Sequence, residues 1–190
     1  MVESMKKYVS LSVAFVIVLV VCLFPCFAAA TEENENPYAP YNNFEELYDA
    51  YMKALEDEDV PLQEKLVAIG RKSLRAEIAE GKESGVKPYI DSELEYWNSV
   101  FTRYFSYGYF EVRPNGWCLS LGNKLSYWNA EDKSQGWNAT YAKFYKDPHW
   151  DNTDIMEEQF YCHARLVYAA IEKEWNLEPW KTSMDPITCN

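Results

Sequence analysis

"YGYFEVRPNGWCLSL", Tyr107 to Leu121, reads as a β-hairpin. "YGYFEV" and "WCLSL" are strand-like runs flanking "RPNG", and Asn115-Gly116 is a strong short-range hairpin signal. In the second run Trp117, Leu119 and Leu121 form one row, with Cys118 and Ser120 on the opposite face. Cys118 is therefore predicted to face away from the apolar row, as a free or peripheral thiol. Just upstream, "SVFTRYF", Ser99 to Phe105, is the candidate for a third strand.

Helical patterns lie on both sides of the hairpin. In "NFEELYDAYMKALEDED", Phe44, Leu47, Tyr48, Tyr51 and Leu55 fall at helical spacing, and Asn42 or Asn43 is the N-cap candidate. Pro61 opens a second helix carrying Leu62, Leu66, Ile69, Leu74 and Ile78, which ends in Gly81 to Pro88. The short acidic turn between the two predicts an antiparallel helical hairpin. After the strands, a helix is expected over about Glu131 to Lys146, weakened by Gly136 at its centre, and a last one from Asp154 to about Trp175. Asn152, Thr153 and Asp154 offer its N-caps, and Pro179 bars continuation. The expected fold is α+β: an N-terminal helical hairpin, then a small antiparallel sheet packed with two helices and stapled by one disulfide.

The first thirty residues read as a secretory signal peptide. Lys6 and Lys7 precede an apolar run from Val9 to Phe24, and Ala28-Ala29-Ala30 supplies a cleavage site. The rival is an uncleaved anchor. The domain expectation is then residues 1–30 as signal, 31–40 as a flexible leader with two prolines, 41–85 as the helical hairpin and 89–190 as an aromatic-rich domain. The chain has 18 basic and 30 acidic residues; without Lys6, Lys7 and Glu3 these become 16 and 29, a net charge of −13. Such a surface repels phosphate backbones and anionic lipid, which argues against nucleic acid and membrane surfaces as partners. Cys118, Cys162 and Cys189 follow the signal, and three thiols in an oxidising compartment give one disulfide and one spare.

At 100° per residue on the last helix, Met156, Phe160, His163, Val167, Ile171 and Glu174 share one stripe. Cys162 sits about 100° round, so the adjacent Cys162 and His163 diverge and share neither a metal nor an ion pair. Cys162 reads as a disulfide partner, with Cys189 its natural mate because a fraying tail gains most from a staple. His163 then reads as a core histidine whose ring nitrogens are satisfied by neighbours, Gln159 being the nearest candidate. The catalytic alternative makes His163 a general base with Glu158 and Gln159 beside it. Arg165 points some 160° away from His163 and does not fit that group.

No HExxH, GxSxG elbow, phosphate-cradling glycine loop or calcium-loop spacing occurs, and no metal or cofactor is expected. The aromatic load is the remaining clue, since all seven tryptophans follow Pro88. Most are expected in the core, with Trp150 and Trp180, each in a loop, the candidates for exposure. The candidate binding surface is Trp150, His149, Trp180 and Glu178.

"MEEQFYCHARLVYAAIEKEWNLEPW", Met156 to Trp180, resembles the C-terminal signature of the domain-of-unknown-function family 2599, a family of secreted bacterial proteins. The matching positions are Met156, Glu158, Gln159, Phe160, Cys162, His163, Trp175 to Trp180 and Cys189-Asn190, and "GWCLSL", Gly116 to Leu121, resembles an earlier strand. The resemblance covers roughly Glu95 to Asn190. It implies pairing of Cys162 with Cys189 and brings no known activity. The expected function is an extracellular or cell-envelope binding protein whose partner is a cell-wall polymer or another extracellular protein. The alternative is a secreted hydrolase or toxin using His163. Burial of His163 without a cleft favours binding; a cleft onto His163 with a carboxylate in hydrogen-bond reach favours an enzyme.

Overall fold

A computed structural model describes residues 36–84, 94–165 and 172–189. The signal segment and the cleavage site lie outside these residues. In chain order the elements are α1 (Phe44–Glu56), α2 (Val60–Ser84), α3 (Leu94–Tyr104), β1 (Phe105–Arg113), β2 (Gly116–Asn123), α4 (Ala130–Phe144), α5 (Thr153–Arg165) and β3 (Glu174–Leu177). The fold is α+β, with a three-stranded antiparallel sheet in the order β1-β2-β3.

The β1–β2 hairpin forms as the sequence predicts, but its two-residue loop is Pro114-Asn115, and Gly116 already pairs with Arg113. Proline presets the φ that a turn's second residue needs, which moves the turn one residue towards the N-terminus. Gly116 takes φ 144° and lies under Trp180, whose ring leaves no room for a Cβ. On β2, Leu119 and Leu121 face the core, while Cys118 and Ser120 face the opposite way. Among the described residues Cys118 is the free thiol, but it is buried rather than peripheral.

Two expectations are overturned. "SVFTRYF" is not a third strand: most of it belongs to α3, where Trp97, Val100, Phe101 and Tyr104 are all buried at i, i+3, i+4 and i+7. Nor does the last helix continue to Trp175. Helix α5 is described to Arg165, and Glu174–Leu177 is the third strand, paired with β2 through Leu119 to Leu177 and Leu121 to Trp175. Its burial alternates, with Trp175 and Leu177 fully inside and Glu174 and Asn176 half-exposed. That period of two suits a strand with one solvated face.

The core fills the space between the inner sheet face and α3, α4 and α5. Rings of Phe105, Trp128, Phe160 and Trp175 contact one another at centroid distances of 5.0–6.1 Å. Gly136 does not break α4; it lets the Trp128 ring lie against the helix, 2.5 Å from where a Cβ would be. Asn129 and Asp132 form a capping box at the start of α4.

The helical hairpin α1–α2 also forms, with Asn43 as N-cap of α1. The described residues from Asn36 onward cluster into one compact unit, which holds both the helical hairpin and the aromatic-rich segment. Of the leader, residues 36–40 form a hydrogen-bonded turn, with Tyr38 packed edge-on against Phe44. The C-terminal tail joins the two halves. Ile187 is fully buried among Phe44, Leu47, Tyr51, Ala54 and Leu66, while Met184 and Cys189 belong to the main core. Cys162 and Cys189 are disulfide-bonded, as the sequence implies. Arg165, buried beneath the tail, donates to the carbonyls of Gly70 and Pro186 and to Ser73 Oγ, with its guanidinium 4.1 Å from the Phe44 ring centre. Among the described residues no helix is long and apolar enough to cross a membrane.

Candidate functional site

The strand periodicity that sends Leu119, Leu121, Trp175 and Leu177 inward sends a polar row outward. On β1 the outward side chains are Tyr107, Tyr109, Glu111 and Arg113; on β2, Cys118 and Ser120; on β3, Glu174 and Asn176. Arg113 ties the row together. Its Nε donates to Glu111 Oε1 at 3.0 Å, and its Nη2 donates to Glu174 Oε1 at 2.8 Å and Asn176 Oδ1 at 3.1 Å. The Ser120 hydroxyl lies 2.5 Å from Glu111 Oε1 and 2.8 Å from Asn176 Oδ1, and its one proton serves either acceptor. Tyr107 donates to the other oxygen of Glu174 at 2.8 Å. Hydrogen bonds from Ser120 and then Arg113 hold the Glu111 carboxyl below its ordinary range.

A groove of about 660 Å³ opens on this face. Its walls include Arg113 and Cys118 from the hairpin, Glu174 and Asn176 from the outward row of β3, Glu172 and Glu178 just before and after that strand, and His163 and Cys189 from the far side. Burial, and secondarily the Glu178 carboxylate, raises the Cys118 thiol above its usual range, so it is a poor nucleophile there.

His163 thus meets a cleft, but not a catalytic setting. Its ring stacks on Trp175 at 5.7 Å and 13°, and its buried Nδ1 has no hydrogen-bond partner. The nearest carboxylate, Glu172 Oε2, is 3.7 Å from Nδ1, beyond hydrogen-bond distance, and that side chain is 60% exposed. Burial, with a smaller contribution from Lys181, pushes the imidazole down to about 4. A solvated carboxylate at that distance does not offset the loss of water around the ring. Gln159 does not satisfy His163 either: its Oε1 accepts from the Glu178 backbone N–H at 2.7 Å, and its Nε2 has no partner. The strand that follows α5 takes the Gln159 acceptor, which a continuous helix would have left for the histidine.

The other candidate residues separate. Glu178 lines the groove and pairs with Lys181, and Trp180 stands beside it, 40% exposed, over Gly116. His149 and Trp150 lie elsewhere. The His149 ring stacks on Trp117 at 3.7 Å, with Nδ1 2.9 Å from Asp147 Oδ1. Trp150 is half-buried, against the expectation of exposure: it packs on Trp137 and Tyr141, and its Nε1 donates to Thr153 Oγ1 at 2.9 Å. Glu158 is half-buried on α5 and forms no part of the groove wall, while Arg165 is buried under the tail.

Sequence reasoning missed Tyr107, Tyr109, Glu111, Arg113, Ser120, Glu174 and Asn176. The signal was present in "YGYFEVR", where aromatic, acidic and basic side chains occupy every second position. With the geometry established, comparison with known proteins adds one match. Residues 110–189 match the family model described as "Protein of unknown function (DUF2599)". The match runs from Phe110 in β1 to Cys189, so it takes in β2, α4, α5, β3 and the tail and leaves out α1 to α3. No curated protein and no solved structure matches the chain.

Proposed function

We propose that this chain is a secreted binding protein of the extracellular space or cell envelope, working without a cofactor, with its ligand in the groove on the outer sheet face. One observation carries the reading: the polar groups of that face are tied to one another rather than poised for proton transfer. Arg113, Glu111, Glu174, Asn176, Ser120 and Tyr107 form one continuous hydrogen-bonded set spanning all three strands. Side chains already held in place lose little further freedom when a ligand arrives, which favours recognition. An active general base instead needs a pKa near the working pH and a group that orients it. His163, at about 4 and without a hydrogen-bonded carboxylate, has neither. The acidity of the chain argues against anionic polymers as ligands.

The hydrolase reading draws on a single feature, the opening of the groove onto His163. The test separates the two. Purified secreted protein is incubated with insoluble cell-wall polymer, and retention and soluble product are measured together. Retention without product is expected, and Glu172→Trp, which sets an indole at the exposed wall beside His163, is expected to reduce retention. Product release that disappears in a folded His163→Ala variant would overturn the binding reading.

A further inference from the structure

The outer face also carries an aromatic element, joined to the hydrogen-bonded set through the Tyr107 hydroxyl alone. Tyr107 and Tyr109 are neighbours on β1, their ring centres 5.5 Å apart and their planes 33° from each other. They are 39% and 47% exposed. The shelf is built in. Gly122 lies beneath it, where a Cβ would stand 2.5 Å from the Tyr107 ring, so only glycine allows that ring to lie down on the sheet. At the edge of the shelf the Tyr107 hydroxyl is anchored on Glu174, which also lines the groove. Shelf and groove are therefore continuous through one carboxylate.

Building on the groove reading above, we infer that the ligand is an uncharged saccharide chain, its sugar rings stacked on Tyr107 and Tyr109 and its hydroxyls held by Glu174, Arg113 and Asn176. A pyranose has an apolar C–H face and a rim of hydroxyls. It needs a flat, weakly polarised surface beneath it and planar donors and acceptors beside it. Aromatic rings with a polar handle supply the first. A carboxylate, a guanidinium and an amide, fixed by mutual hydrogen bonds, supply the second. Charge selects the class further. Three cations, Arg113, Lys173 and Lys181, stand against four carboxylates, Glu111, Glu172, Glu174 and Glu178, so the face has little net charge with which to attract an ion, and what it has is negative. The neutral imidazole of His163 extends the same character to the far wall. From Tyr107 to Arg113 the strand spans about 20 Å, long enough for several sugar units rather than one.

The test uses the full secreted protein and soluble, uncharged β-linked hexose and N-acetylhexosamine oligosaccharides, with affinity read by calorimetry. Binding of at least one series is expected. Tyr109→Ala is expected to weaken it about tenfold, the loss of one stacked ring. Tyr107→Phe, which keeps the ring, should retain most of the affinity, and Trp117→Ala, an exposed aromatic on the other side of the sheet, should retain all of it. Tyr109 is exposed, so the variant's unchanged melting temperature serves as the control for folding. If no oligosaccharide binds while Glu172→Trp still reduces retention on polymer, the saccharide assignment is overturned and the groove stands. If oligosaccharides bind equally to Tyr109→Ala, or lose affinity with Trp117→Ala, the shelf is not the site.

Discussion

Acidification tests the account of His163 most directly. Buried against Trp175 with an unpartnered Nδ1, the imidazole titrates at about 4 in the folded protein, against 6.5 for the free side chain. The folded state therefore prefers the neutral ring, and the unfolded state binds more protons between these two values. Stability contributed by the neutral ring is fully present above pH 6.5 and is lost as pH falls towards 4. At about 1.4 kcal/mol per pH unit, the full shift corresponds to about 3 kcal/mol. Glu157 acts in the opposite direction, since burial raises its carboxyl despite its Lys82 partner, so a raw pH profile mixes the two. The measurement that isolates His163 is the difference in urea-unfolding free energy between the native chain and His163→Phe, which keeps a ring on Trp175. That difference should move by about 2–3 kcal/mol in favour of the variant between neutral pH and pH of about 4.5. The chain has only two histidines, so NMR titration gives an independent check. A His163 midpoint near 6.5, or a pH-independent difference, would refute the burial argument and reopen the general-base reading.

The remaining predictions concern packing. Replacing Cys162 and Cys189 together by Ala, which opens a loop with a sequence separation of 27, should cost about 3–4 kcal/mol and expose the tail to proteolysis before global unfolding. Arg165→Met should cost about 3 kcal/mol in urea unfolding, because it strips donors from the buried Gly70 and Pro186 carbonyls. Gly136→Ala should destabilise: the helix propensity gain is about 1 kcal/mol, but the new methyl meets the Trp128 ring, and overpacking costs about 1–3 kcal/mol. A variant more stable than the native chain by thermal melting would contradict that reading of the α4 contact.

The parts of the fold legible in the sequence were those held by local rules. Asn115-Gly116 marked the hairpin, Asn43 capped α1, and the acidic turn separated α1 from α2. The errors arose where two periodicities compete over a short span. "SVFTRYF" is rich in aromatic and β-branched residues and looks like a strand, yet only the longer pattern from Trp97 to Tyr104 shows its period. "EKEWNL" carries helix-favouring charges, yet Trp175 and Leu177 need the second apolar row that β2 offers. Partner availability, a tertiary fact, decides such segments over propensity.

The misread strand also determines the site. As a helix, the segment would have set Glu174 near His163 and Met156 on one stripe, and the imidazole would have been core filling with a glutamine beside it. As a strand, it turns Glu174 and Asn176 onto a common face with Arg113 and Ser120, takes the Gln159 acceptor for its own Glu178 N–H, and stacks Trp175 beneath the imidazole. The same change removes the partner a catalytic histidine needs and assembles the polar row a ligand needs. The two rival functions were therefore never independent of the fold: which one the chain can support depends on whether residues 174–177 repeat every two residues or every 3.6. Because β3 buries Trp175 and Leu177 completely, substituting both by polar residues should release Glu174 from Arg113 and abolish ligand retention although neither residue itself lines the groove. Retention that survives loss of the β2–β3 pairing, read by amide hydrogen exchange at Leu119 and Leu121, would show that the ligand is held elsewhere.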